Sequence, residues 1–520
     1  MKSGLIKTFA ALLTAALVVT GCGGGGNATT STDTGTTTAA PATSDGTLTI
    51  ANGTDIESFD PQNNNNTASE AILVNVFDYL LKNDNEGNKV PALATSWEQT
   101  ADNVWQFKLR DDVKFHNGDP FTAADVKYTF ERLATDEALK QHSYFKTIEE
   151  VRVVDDYTAE FVTTGPDPLL LNRLSKMGAG ILPSKYIEEN GLDAFLKNPI
   201  GTGAYKFKSW AKDDRVVLEK NDDYFDGAPK WNEVVFRVVP EASTRVSELL
   251  TGGVDIVSGV PSTDIERIEQ TENLSVETTP IKRVLQLIVR QTEGTATADP
   301  KVREAIDLAI DKKAIVDSIA GGNGVLTRTS VTPGNFGSDE SLYEQSLYDL
   351  EKAKALLQEA GYGDKGPELS LSSSSQYKEY AEVVSAMLTA AGFTVNLDIL
   401  EPSAFSEKMT SKTFGELYMI GIGNSMNDAS NNYNRFLASE AAGETDYNNA
   451  EVEKLLQSAL VNMDEDSRAD EYKQVQQILA EERPAIYLFQ MKGVYGVNAS
   501  VDFAPRQDEM FYAQDIAPAQ

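Results

Sequence analysis

The sequence predicts an α/β protein with mixed sheets and more than one lobe. Short runs with strand periodicity alternate with capped, amphipathic helices from Thr47 to the C-terminus. The 520 residues suffice for two or three domains and a large buried core. No internal repeat and no second long apolar segment breaks that pattern.

The chain opens differently. Lys2 and Lys7 precede an apolar run at 9–19 that is too short for a stable membrane span and has the shape of a secretory signal. It ends in Val19-Thr20-Gly21-Cys22, which resembles a bacterial lipobox, so residues 1–21 are expected to be removed and Cys22 acylated. Residues 23–46 carry almost no apolar side chain larger than alanine and cannot offset chain entropy. They are expected to form a disordered tether with a span of roughly 25–30 Å.

Beyond the tether, Val104–Leu109 alternates apolar and polar residues as a half-buried strand does, and 215–219, 233–239 and 393–400 follow the same rule. Thr122 and Asp125 have the spacing of a capping box ahead of Val126, Phe130 and Leu133. Asp299-Pro300 reads as an N-cap with proline at the first helical position, and Asp349 opens a helix that Gly361 closes.

Composition narrows the function. Lys plus Arg is 46 against 79 Asp plus Glu, a formal charge of −33, which argues against binding nucleic acid or an anionic lipid surface as a main task. Cys22 is the single cysteine, so there is no internal disulfide framework and no Cys-rich metal site. The chain has no His-Glu-x-x-His, Gly-x-Ser-x-Gly or P-loop, and neither Gly201-Thr202-Gly203 nor Gly421-Ile422-Gly423 extends into a dinucleotide fingerprint. His116 reads as a structural or surface residue and His142 as a solvated one. Catalysis is disfavoured, and no cofactor or metal is expected.

Several stretches have a shared likeness: Glu57-Ser-Phe-Asp-Pro-Gln62, Pro91-Ala-Leu-Ala-Thr-Ser-Trp97, Phe107-Lys-Leu-Arg-Asp-Asp-Val-Lys-Phe-His-Asn-Gly118, Pro199-Ile-Gly-Thr-Gly-Ala-Tyr205 and Glu248-Leu-Leu-Thr-Gly-Gly-Val-Asp255. In order and spacing they resemble the family 5 solute-binding proteins of ABC importers, which take dipeptides, oligopeptides, glutathione, opines or nickel. The resemblance implies a two-lobed periplasmic-binding-protein-like fold with a hinge. Lobe I would be 47–281 plus 490–520, with a subdomain inserted at about 86–200, and lobe II would be 282–489. It implies a monomer outside the cytoplasm, in the periplasmic space or on the outer face of the cell membrane. Such a protein touches the membrane only through its lipid and serves an ABC permease and ATPase. The solute is expected to be a short peptide or peptide-like molecule. A non-peptide solute (an opine, an oligosaccharide or a chelated metal) and a lipid-anchored hydrolase remain the alternatives.

By the same resemblance, ligand contacts are expected from Thr54, Asp55, Ile56 and Glu57 after the first strand. A second set is Gly423, Asn424, Ser425, Met426 and Asp428, where glycines give a ligand access to backbone. Tyr487 and Phe489, beside a crossing between lobes, are expected either to face the cleft or to pack in the core. Arg290 could meet a ligand carboxylate or form an ion pair. In peptide-binding relatives the second loop carries an Asp that pairs with the ligand's α-amino group; the alignment puts Ser425 there, with Asp428 three residues on. For the anchor, Cys22→Ala should abolish both signal cleavage by the lipoprotein peptidase and labelling with fatty-acid probes. Normal labelling of that variant would refute acylation at Cys22.

Overall fold

The computed structural model describes residues 46–84, 87–363 and 365–519, so the signal, Cys22 and all but the last residue of the expected tether lie outside the described residues. Among the described residues no helix is long and apolar enough to cross a membrane.

The largest sheet among these residues has eleven strands. At its centre are two long antiparallel strands, Leu274–Val289 and Ala485–Asn498. On one side Ala485–Asn498 pairs with Ile256–Ser258, which leads through Thr47–Asn52 and Glu233–Val238 to the hairpin Tyr205–Ala211 and Arg215–Lys220. On the other side Leu274–Val289 pairs with Leu417–Gly423, then Glu368–Ser374 and Thr394–Leu400. Parallel and antiparallel pairings coexist, as a mixed sheet requires.

The two long strands change partners along their length. Residues Leu274 to Pro280 pair with Asn498 to Lys492, and pairing resumes only at Val284 opposite Gln490. Between those points Ile281, Lys282 and Arg283 face only Met491. Proline has no N–H to give the ladder, so a break beside Pro280 follows from its chemistry. The freed backbone groups are met elsewhere. The Gln490 side chain donates to the Ile281 carbonyl at 2.9 Å. The Lys282 N–H donates to Gln507, and its carbonyl accepts from Asn424.

Each side of the break has its own core. Before it, Leu48, Ile50, Phe77, Tyr205 and Phe236 pack on one sheet face, and Val246, Leu249 and Ile268 on the other. After it, Leu285 and Leu287 point to one buried layer while Val284 and Ile288 point to a second. That period-two alternation, apolar on both faces, is the signature of a strand covered by helices on both sides.

Within the span expected for the insert, Ala94–Ala101, Val104–Leu109, Thr158–Thr163 and Ile148–Asp155 form a separate antiparallel sheet. Phe107, Phe130, Phe145 and Phe161 pack beneath it, and Tyr79, Leu80 and Leu81 join them, so this core reaches back before residue 86. Helix Ala123–Thr135 has its capping box, with the Thr122 N–H donating to the Asp125 carboxylate at 2.9 Å. His142 is half-buried, not solvated, with Nδ1 2.9 Å from the Leu133 carbonyl at the end of that helix.

The Gly-Thr-Gly stretch is a backbone joint. The Gly203 and Tyr205 N–H groups donate to the carbonyls of Val76 and Asn75. A Cβ on Gly201 would lie 1.9 Å from the Val76 oxygen, and one on Gly203 2.4 Å from that of Asn75. His116 Nε2 lies 2.9 Å from the Gly203 carbonyl, and burial pushes its pKa down to about 4. Because backbone cannot yield as a flexible side chain can, Gly201→Ala should cost at least about 2 kcal/mol, read from the midpoint of chemical denaturation. An unchanged midpoint would refute the joint.

Candidate ligand-binding site

A cavity of about 590 Å³ opens between the two sides of the fold, within the size range of small-molecule sites. One wall comes from residues 65–84, 144, 175–177 and 504–512, the other from 282–283, 420–427, 431 and 435. The strand break therefore delivers Lys282 and Arg283 to the cavity.

Arg283 ties the walls together. Its guanidinium donates to Glu509 at 2.9 Å and Thr67 at 3.2 Å on the first side, and to the Gly421 carbonyl at 3.2 Å on the second. Asn172 adds another tie, its side-chain amide donating to the Met426 carbonyl at 2.6 Å. A Cβ on Gly421 would meet the Tyr377 hydroxyl at 2.4 Å and Arg283 at 3.3 Å, so this glycine is needed first by protein packing.

The carboxylates on the walls are all engaged. Glu70 accepts from the Tyr79 hydroxyl and from Asn64. Asp84 accepts from the backbone and side chain of Asn88, and Asp508 from Arg506. Burial pushes Glu70 up to about 8, against the pull of Lys176, so it holds its proton at neutral pH. Burial also pushes Lys176 down to about 7, with Glu70 opposing and Arg173 assisting. The Lys176 ammonium bonds the Gln141 side-chain oxygen at 2.7 Å and lies 3.6 Å from the centre of the Tyr144 ring.

The expected contact residues divide. Gly423, Asn424 and Ser425 line the cavity. Met426 is buried and Asp428 is spent in a buried ion pair with Arg468 at 2.7 Å. The first loop is not on the cavity wall. Asp55 accepts from the Trp210 indole at 3.1 Å and the Asp213 N–H at 2.8 Å, Ile56 is core, and Glu57 pairs with Lys140 on the surface beside exposed Thr54. Arg290 takes the ion-pair role, bonding Asp446 and the Phe414 carbonyl. Tyr487 and Phe489 are core residues. Glu70, Lys176, Lys282, Arg435 and Glu509 were missed, because each sits in an unremarkable local sequence. The one usable signal was Lys176, a lysine between the apolar stretches Leu169–Leu171 and Ala179–Leu182.

The model of the bacterial extracellular solute-binding proteins, family 5, matches residues 88–444. The chain belongs to this family. Among family 5 relatives, the oligopeptide-binding protein AppA of Bacillus subtilis is 27% identical over 511 residues, 93% of each chain. The glutathione-binding protein GsiB of Salmonella typhimurium is 27% identical over 467 residues, 86% of this chain and 90% of that one. The periplasmic binding protein DppA of Helicobacter pylori, solved in complex with the peptide STSA, superposes with a TM-score of 0.81 at 26% identity, covering 91% of this chain and 98% of that one. These relatives are binding proteins, and the two-lobed mixed α/β architecture is shared with them.

In this family 5 chain the buried Glu70 carboxyl links stability to pH. The folded form keeps its proton up to about 8, whereas the unfolded side chain loses it near 4.5. Glu70 therefore favours the folded state less and less as pH rises across that window. Lys176 acts oppositely from about 7 to 10.5, where only the unfolded chain holds the proton. The Glu70→Gln variant should show a smaller fall of melting temperature between pH 5 and 7 than the parent, and identical slopes would contradict a protonated Glu70.

Proposed function

We propose that this protein captures a short peptide or peptide-like solute outside the cytoplasm, encloses it between the two lobes, and delivers it to an ABC permease, held to the membrane by acylated Cys22. The polar cavity between the lobes is the observation that carries this reading. Lobe I is 47–281 plus 490–520 and lobe II 282–489, with the break between Pro280 and Val284 as the hinge. Closure excludes water from an extended ligand held against the wall at 420–425, where Ser425 is exposed. The names of AppA, GsiB and DppA support peptides and glutathione-like molecules as the solute class.

The ligand's amine is not anchored in the way the family resemblance implies. Ser425, at the position expected for an aspartate, offers a hydroxyl without charge. Asp428 is committed to Arg468 and is not on the cavity wall. A desolvated ammonium beside Ser425 would forgo a charge-assisted bond, about 1.5–3 kcal/mol. Calorimetry with short peptides and their N-acetylated forms should therefore show binding that tolerates acetylation, and Ser425→Asp should create a preference for the free amine. A strong preference for the free amine in the parent, abolished by Asp428→Asn, would refute this mode of recognition. Compaction on ligand addition, read as a smaller radius of gyration in solution scattering, tests the hinge. Tight binding without compaction counts against it.

A further inference from the structure

Three lysines at the cleft share one arrangement. Each ammonium is held by the oxygen of a neutral side-chain amide and by no carboxylate in ion-pair range among the described residues. Lys176 bonds Gln141 at 2.7 Å, Lys282 bonds Asn427 at 2.6 Å, and Lys89 bonds Asn83 at 2.7 Å. Asn83, Lys176, Lys282 and Asn427 line the cavity, and Lys89 stands behind Asn83. An amide fixes where an ammonium sits without cancelling its charge. The wall carboxylates are engaged by other groups: Glu509 and Asp508 pair with Arg283 and Arg506, Asp84 accepts from Asn88, and Glu70 accepts from Tyr79 and Asn64.

On the same wall, Asn431 Oδ1 and Arg435 Nη1 are buried without hydrogen-bond partners. Arg435 lies 3.2 Å from Glu444, but outside hydrogen-bonding geometry for Nη1. The Arg435 charge is thus met by Glu444, whereas the buried Asn431 acceptor is met by nothing, which is costly unless something enters to pair with it. In a chain of formal charge −33, a cleft whose spare charges are cationic is a local reversal of sign.

We propose that the cleft selects net-anionic, carboxylate-bearing peptide-like solutes, with Lys282, and Lys176 once a carboxylate stands beside it, supplying the charge at the wall and Lys89 reinforcing it from behind. Asn431 and Arg435 take an N–H and a carbonyl or carboxylate oxygen of the same ligand. Selection follows from accounting of charge. A neutral solute leaves the lysines desolvated and unpaired on closure, whereas a carboxylate turns that cost into a charge-assisted bond. Mutual repulsion adds to the effect, since Lys282 helps burial hold Lys89 down to about 8.

The inference rests on the capture reading above, and one titration series separates the two. The probes are N-acetylated tripeptides Ala-X-Ala of matched size: X as glutamate with a free C-terminus, X as glutamine with a free C-terminus, the amidated glutamine form, and the amidated lysine form. They carry two, one and no negative charges, and one positive charge. Affinity should rise about tenfold with each added carboxylate, a step that one solvent-shielded ion pair can supply. Lys282→Gln should flatten that series and Lys282→Arg should keep it. Lys176→Met, checked for an intact melting transition, should flatten it too. Equal affinity across the series overturns the charge selection and leaves solute capture standing. Failure of every probe overturns the charge selection, and failure of their free-amine forms as well overturns solute capture too. A series that survives unchanged in both Lys282→Gln and Lys176→Met overturns the assignment to these lysines.

Discussion

Two strands shared by both halves of the molecule are the constraint on which the rest depends. Leu274–Val289 and Ala485–Asn498 run through the sheet from one core to the other and make it continuous. Had both been regular throughout, the halves would be one rigid slab. The interruption at Pro280, with three residues facing one, concentrates the irregularity in a few residues whose backbone bonds are met by Gln490, Gln507 and Asn424. Two of those substitute partners, Gln507 and Asn424, come from opposite walls of the cavity. The same residues that break the sheet thus tie the walls together, and Arg283, at the end of the break, extends that role with a guanidinium reaching both.

The cavity is polar in an uneven way. Its acids are tied to protein donors, while its lysines are positioned by amides that leave their charge standing. Packing explains the remaining features, including Gly421, which makes room for Tyr377 and Arg283 before it makes room for any solute. Backbone joints such as Gly201 and Gly203 against Asn75 and Val76 then fix the chain after 200 to the segment that carries part of the first wall.

Much of the fold was legible in the sequence because its signals are local. Val104–Leu109 is a strand with the expected ends, Asp299 caps its helix through the Lys301 N–H, and Gly361 sits at positive φ after the helix that Asp349 opens. The loop at 423–425 was legible too, from glycines and small polar residues after a strand. The remainder of the site was not. Its walls come from several segments hundreds of residues apart, and no periodicity marks a residue for a cavity that exists only after folding. Asp55, Arg290 and Asp428 show the converse: a charge in a plausible loop is as readily consumed by Trp210, Asp446 or Arg468 as by a ligand. Sequence position tells which charges are present, and only tertiary structure tells which are already spent.

The bonds between the walls that bypass any solute carry a consequence for signalling. On the proposed closure, Arg283 to Glu509 and Asn172 to Met426 would lower the free energy of the shut form whether or not it held cargo. An importer that takes the shut shape as its cue would be misled by unloaded copies, and about 1.4 kcal/mol of such bonding multiplies those false cues tenfold. Fidelity therefore sets a ceiling on how well the walls can fit one another. On the proposed closure, an interior left electrically and hydrogen-bond incomplete would supply the opposing term, because shutting without cargo would strand Lys282 and Asn431 away from water. Imperfect packing at the centre of the molecule would in this sense act as a proofreading device, and a variant that perfected it would be expected to compete with loaded copies for the transporter.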